Sequence, residues 1–208
     1  MILYLNYISR TLQLNRYLVN GDGLNVRIVR VGNIMARYSG GLFQKNFDTN
    51  AFLGELRAIK NIQTITEDMN NDEIEMSPID YVAKATLALA KTPNESRVFN
   101  CVNPNRIYNS DIIEALNSFG YGINLVSDEE FIEICKDNMD ENIQGLITSD
   151  MSIDELSEDE YDEELDEFIV KTDQTKEILH SLGVDWPILT RDYLRSLIKY
   201  LNKFNYFE

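Results

Sequence analysis

The 208-residue sequence predicts an α/β fold in which strands alternate with helices and a more helical part follows. Two runs carry that reading. Val26, Ile28, Val29 and Val31 form a β-branched stretch entered from Gly21-Asp22-Gly23 and left through Gly32-Asn33, the pattern of a buried strand bounded by turns. Arg97-Val98-Phe99-Asn100-Cys101-Val102 repeats it, closed by Asn103-Pro104-Asn105. Helical periodicity surrounds both runs, and the loop at the carboxyl end of such a strand is where open α/β sheets place their ligands.

Each element has its own signal. Leu5, Ile8, Leu12 and Val19 fall at helical spacing, widened by Leu14 and Leu18, until Gly21 stops the helix. The strand over 26–31 follows, and Ser39-Gly40-Gly41 reads as a turn. Asp48-Thr49-Asn50 offers amino-terminal caps for a helix bearing Phe52, Leu53, Leu56 and Ile59. Residues 61–72 read as a mostly polar connection, and 73–79 as a short alternating segment. Asp80 reads as the cap of an Ala-rich helix over 81–91 that ends before Pro93. Beyond the second strand, Asn109-Ser110-Asp111 caps a helix with Ile112, Ile113, Leu116 and Phe119, ended by Gly120-Tyr121-Gly122. A brief strand over 123–126 and a helix from Asp128 with Phe131, Ile132 and Cys135 come next. Residues 174–182 form a helix stopped by Gly183, and Thr190 opens a final helix with Tyr193, Leu194, Leu197, Ile198 and Leu201 on one face. No internal repeat is evident.

Composition narrows the class. With 44% hydrophobic and 26% charged residues, the chain has the makings of a globule with a real core, read here as cytoplasmic. No apolar run approaches the length of a membrane span, and the first residues lack the marks of a signal peptide. Cys101 and Cys135 stand far apart without CxxC spacing and read as free thiols, and His180 is the sole histidine. The net charge of −16 is concentrated, since residues 128–168 hold 18 of the 35 acidic and one of the 19 basic residues, leaving the rest near neutral. Such acidity disfavours nucleic-acid partners, which need Lys and Arg against phosphate. The acidic tract lacks the glycine and ligand spacing of a calcium loop and reads as a solvated insertion over about 137–168, with no metal site.

Several segments together resemble one family. Arg30-Val31-Gly32-Asn33-Ile34-Met35, Arg37-Tyr38-Ser39, Phe43-Gln44 and Asn50-Ala51-Phe52 resemble the thioester reductases. These are extended short-chain dehydrogenase/reductase-type domains found at the end of many nonribosomal peptide synthetases, related to aminoadipate and carboxylic acid reductases. The similarity runs on through Glu75-Met76-Ser77-Pro78-Ile79-Asp80-Tyr81-Val82-Ala83. It returns at Gln174-Thr175, Ile178-Leu179, Leu182-Gly183, Asp185-Trp186-Pro187 and Tyr193-Leu194. It covers most of the chain outside the acidic part and corresponds to the carboxyl-terminal portion of the family. The resemblance implies the last strands and helices of a Rossmann-like doubly wound sheet over 1–108, lacking its Gly-rich amino-terminal half. A substrate-side, mostly helical subdomain over 109–208 would follow, interrupted by the acidic insertion.

The chemistry implied by the resemblance is hydride transfer from NADPH to a carrier-bound acyl or peptidyl thioester. That gives a hemithioacetal, which collapses to an aldehyde and in some members goes on to an alcohol. Such a site needs a hydroxyl donor at the developing oxyanion, usually a Tyr helped by a Lys one turn later. The alignable pair here is Tyr7 and Thr11, and Thr11 has no charge with which to lower a phenol pKa; on its residues alone Tyr7 reads more simply as an ordinary packed tyrosine than as an acid. By resemblance Val31, Gly32 and Asn33 border the nicotinamide, a place where a glycine permits close approach and Asn offers both donor and acceptor. Gly-Asn also serves as an ordinary strand-end turn. By resemblance again, Phe43, Gln44, Asn46 and Asn50 face the acyl-phosphopantetheine arm of a thiolation domain, although a surface turn has the same composition. Asp185-Trp186-Pro187 reads as an anchor for the last helix, with Trp186 packed rather than stacked on a ligand.

No GxGxxG or GxxGxxG opens a helix, so the chain has no fingerprint for a dinucleotide pyrophosphate. The expectation is that the isolated chain neither binds NADPH tightly nor reduces a thioester. Two other readings compete: a piece of another extended dehydrogenase such as a nucleotide-sugar epimerase, and a non-catalytic module that docks a carrier domain or a complementing half-protein.

Overall fold

The computed structural model describes residues 27–45, 47–93, 98–140, 142–144, 146 and 170–208. The expected helix over 5–19 with Tyr7 and Thr11, the residue Asn46, and most of the acidic stretch lie outside the described residues. In chain order, β1 (Ile28–Val31) and β2 (Ile34–Met35) are followed by a 3-10 turn, Phe47–Thr49, and by α1 (Ala51–Ile62). Then come β3 (Thr64–Ile65), α2 (Glu67–Asn71), β4 (Glu73–Ile74), β5 (Ser77–Pro78) and α3 (Ile79–Leu89). Next are β6 (Val98–Cys101), β7 (Ile107–Tyr108), α4 (Asn109–Asn117), β8 (Asn124–Leu125) and α5 (Asp128–Asp137). Two helices close the chain, α6 (Asp173–Ser181) and α7 (Arg191–Asn202).

The two predicted strands pair with each other. β1 and β6 run parallel, Ile28 opposite Val98 and Val31 opposite Cys101. Three two-residue pairings extend the pattern: β2 with β5 and β3 with β8 in parallel, β4 with β7 antiparallel. The mixed α/β class expected from the sequence is therefore what forms, with its parallel pieces short.

Two expectations are corrected. Residues 61–72 are not a plain connection. Gln63 takes a left-handed conformation (φ 57°) and closes α1, its N–H donating to Ile59 O at 2.8 Å. Thr64 and Ile65 then enter the core, and Thr66 caps α2 by accepting the Met69 N–H at 3.2 Å. Asp80, for its part, is not the cap of α3. That helix begins one residue earlier, behind Pro78, which offers no side-chain cap, and the Asp80 carboxylate instead accepts the Tyr38 N–H at 2.9 Å. A proline with φ of −59° leads into the helix on its own, so the acid is free for a tertiary bond. Asn50 does cap α1, accepting the Leu53 N–H at 3.0 Å. Thr190 does the same for α7 toward Tyr193 at 3.3 Å.

Packing divides into two clusters. The larger joins α1, α4, α5 and α7 through side chains such as Leu53, Leu56, Ile112, Leu116, Phe131 and Leu197, and it also takes in Met35 and Ile65 from the short strands and Met76 from between β4 and β5. The helical spacing on α7 explains its part: Tyr193, Leu194, Leu197, Ile198 and Leu201 all fall on the buried face. Past α7 the chain turns back at Asn205 (φ 55°), so that Tyr206 and Phe207 close the same core. Ile143 and Leu146, at the start of the stretch read as a solvated insertion, are buried there as well. The smaller cluster holds Ala85, Leu89, Phe99, Cys101 and Leu179, where α3 and α6 cover the β1–β6 ladder, with Trp186 packed against it. The segment around Trp186 is held by amides: Asn105 Nδ2 donates to Pro187 O at 3.0 Å and Asn103 Nδ2 to the same oxygen at 3.5 Å.

Candidate functional site

The link between β1 and β2 separates two clefts. On one side lies a cleft of about 510 Å³ at the carboxyl ends of β1 and β6, bounded by Val31, Gly32, Asn33, Glu75, Asn100 and Val102, with Arg30, Arg106 and Lys171 around it. On the other lies one of about 460 Å³ bounded by Ile34, Met35, Leu42, Phe43, Gln44, Asn50 and Ile79. The three residues expected to border a nicotinamide thus share the first cleft. Three of the four expected to face an acyl arm share the second, and the fourth, Asn46, lies outside the described residues.

Glu75 organises the first cleft. It reaches the link because Glu75 and Ser77 are two apart on an extended segment and so point the same way. One Glu75 carboxylate oxygen accepts the Asn33 N–H, and the other accepts the Ser77 hydroxyl at 2.6 Å. Ser77 Oγ in turn accepts the Asn103 N–H at 3.0 Å, while the Ser77 N–H donates to Asn33 O at 2.8 Å. Asn33 Nδ2 also donates to Glu75 O at 3.3 Å. Gly32 lies under this carboxylate: a Cβ built on it would come 2.4 Å from Glu75 Oε2, so no larger residue fits without moving the acid. The glycine's closeness therefore serves a carboxylate of the same chain, which the sequence reading did not anticipate. Among the described residues no group donates to the Asn33 amide oxygen.

Among the described residues, the second cleft has no charged side chain among its walls. Its rim is apolar and exposed, with Ile34 at 41%, Leu42 at 46% and Ile79 at 39%. Gln44 is exposed and Phe43 half-buried. The Asn50 carbonyl is committed to its cap. The loop over 37–44 that forms one wall is tied to α7 by Gly41. At φ 65°, that residue lies so close that a Cβ would meet the Ser196 carbonyl carbon at 2.3 Å.

An aromatic stack backs this loop. The Tyr38 ring lies 5.6 Å from Tyr193 in a stacked arrangement and 5.6 Å from Tyr81 edge-on. Tyr193 OH donates to Ala36 O at 3.1 Å, and burial, then the nearby Asp80 charge, raises its pKa well above the ordinary phenol value. It stays protonated and hydrogen-bonded, a structural group rather than an acid in reach of a cleft. Tyr38 OH donates to Ile188 O at 3.1 Å. Cys101, buried under the first cleft, has its thiol pushed up to about 11 by desolvation and is inert near neutrality. Among the described residues no group of three His, Cys, Asp or Glu could hold a metal, and no helix is long and apolar enough to cross a membrane.

A Rossmann-like piece with a cleft at the ends of its parallel strands is the class these features define. Comparison with solved structures sharpens it. The chain matches a thiolation-reductase di-domain from an archaeal non-ribosomal peptide synthetase with 53% identity and a TM-score of 0.78, over 89% of this chain and 38% of that one. It also matches the Aureusimine biosynthetic cluster reductase domain (24% identity, TM-score 0.70, 88% of this chain and 46% of that one). The terminal R domain from the myxalamid PKS-NRPS biosynthetic pathway shares the fold (16% identity, TM-score 0.68, 88% and 46%). No family model and no curated protein matches. The chain belongs to the thioester reductase family that its sequence resembles, and it spans less than half the length of each of these chains.

Proposed function

We propose that the chain is the carboxyl-terminal part of an NADPH-dependent thioester reductase domain, one that releases a carrier-bound acyl or peptidyl thioester as an aldehyde or alcohol. The observation that carries this reading is the position of Val31-Gly32-Asn33 in the link between two clefts of different chemistry, one edged by charged side chains and one lined by uncharged side chains. The first fits the nicotinamide end of a dinucleotide: Val31 and Val102 offer apolar wall, and Asn33 keeps a carbonyl acceptor for a carboxamide. When bound, the cofactor supplies a hydride. The chain's own part is to hold that end in place, with Glu75 fixing the Asn33 backbone and Ser77 and Asn103 fixing Glu75. The second cleft suits a pantetheine-linked acyl group, since Phe43, Leu42, Ile34 and Ile79 shield apolar atoms and Gln44 can meet an amide. Its partner on this reading is a thiolation domain, supported by the di-domain that the chain matches.

A hybrid tests the reading. This chain replaces the matching part of the archaeal reductase domain, and oxidation of NADPH is followed with an acyl-pantetheine thioester. The expected result is thioester-dependent oxidation by the hybrid, its loss with Gly32→Ala, and none by the 208-residue chain alone. A folded hybrid that binds NADPH yet leaves the thioester intact, or turnover by the isolated chain, would overturn it.

A further inference from the structure

We propose that the cleft beside Gly32 and Asn33 contains a phosphate-binding site formed by Arg30, Arg106 and Lys171. Three parts of the chain converge to make it: Arg30 comes from β1, Arg106 from the turn before β7, and Lys171 from the residues leading into α6. All three are exposed, and none has a hydrogen bond or ion pair from its side chain among the described residues. In a chain with 35 acidic and 19 basic residues, three cations gathered without a counter-ion among the described residues stand out. The one carboxylate lining the cleft among the described residues, Glu75, spends both oxygens on Asn33 and Ser77.

The cations are positioned by the fold. Arg30 sits in the paired register of β1 opposite Asn100. Asn100 Nδ2 donates to Lys171 O at 2.9 Å and its N–H to Thr175 Oγ1 at 3.1 Å, which fastens the Lys171 segment to β6. Arg106 follows Asn105, itself bonded to Pro187 O. A multiply charged anion with several acceptor oxygens suits two guanidinium forks and an ammonium better than a single carboxylate does. Two sources of phosphate are compatible with this chemistry: the backbone of a dinucleotide and the phosphate of a phosphopantetheine arm. The site rests on charge and position alone and stands whether or not the chain takes part in reduction.

The 208-residue chain is titrated at low salt with pantetheine and 4′-phosphopantetheine, and with nicotinamide riboside and nicotinamide mononucleotide, read by amide chemical shifts. The expected result is that at least one phosphorylated probe binds about tenfold or more tighter than its phosphate-free counterpart, a difference near 1.4 kcal/mol. Which pair shows the gain identifies the source. Arg30→Gln with Arg106→Gln should abolish the gain, Lys171→Gln, which alters no strand, should reduce it severalfold, and Lys199→Gln on α7 should leave it unchanged. Equal affinity with and without phosphate in both pairs, or an equal loss in the Lys199 variant, would overturn the site. Phosphate-dependent binding by the chain together with an inert hybrid would sink the reductase reading and leave this one standing.

Discussion

The two packing clusters differ in size and in what they support. Among the described residues the larger gathers 29 buried side chains from helices, short strands and the segments between them, whereas the smaller holds five, two of them, Phe99 and Cys101, from β6 itself. Yet the smaller cluster carries the loop that opens on both clefts. A parallel ladder is ordinarily buried on both faces, and here its outer residues Val31 and Val98 remain 42% and 41% exposed. Cohesion and candidate chemistry therefore sit in different places among the described residues: α7 and its partners form the larger core, and the ladder with the partly exposed Val31 and Val98 presents the site. Low local stability at a ligand-facing segment is a common arrangement.

Matched substitutions would break or sharpen that contrast. Leu116 and Leu89 are both fully buried, one in each cluster. Leu116→Ala should cost about 4–5 kcal/mol in denaturant unfolding because α4 is hemmed in and cannot collapse into the cavity. Leu89→Ala should cost about 2–3 kcal/mol, and hydrogen exchange should show the loss concentrated in the β1 and β6 amides. Equal costs with global exchange from both would mean that the two clusters unfold as one. Next in size is Asp80→Ala, which leaves the Tyr38 N–H without its acceptor: about 1–3 kcal/mol, with the Tyr38–Tyr193 stack loosened in near-ultraviolet dichroism.

The mildest effect concerns pH. The Cys101 thiol is held near 11 in the folded chain against an ordinary 9.0, so the folded state keeps its proton longer. Its contribution to stability is complete below pH 9 and is lost as pH climbs toward 11. Cys101→Ala should flatten that alkaline decline, and alkylation of Cys101 at neutral pH should proceed only through unfolding.

Long periodic patterns were legible in the sequence. The β-branched run of β1 and the apolar stripe of α7 announced themselves because each repeats its signal over several residues. Family segments were legible for the same reason, being spread over most of the chain. The elements within 61–72 were not, since two strand residues and a five-residue helix are too short to show a period. The roles of Glu75 and Asp80 were hidden for another reason. Each carboxylate meets a backbone N–H about forty positions away, at Asn33 and Tyr38, and nothing local distinguishes such an acid from a cap or a solvated charge. The one available hint was the two-residue spacing of Glu75 and Ser77. Tyr206 and Phe207 were likewise invisible as core, because a turn at Asn205 has to bring them back.

The contact between Gly41 and the backbone of α7 bears on how this cleft could change its preferences over evolution. Exchanging Leu42, Phe43 or Ile79 alters the lining, but the distance between the loop and the helix is fixed by main chain against main chain, with no side chain to trim. Enlarging the bore therefore requires the helix itself to slide, and with it Tyr193, Leu194 and Leu197, which are rooted in the larger core. Selectivity by polarity is within reach of single substitutions at the rim, whereas selectivity by size is locked to the packing of the last helix and would have to arise there.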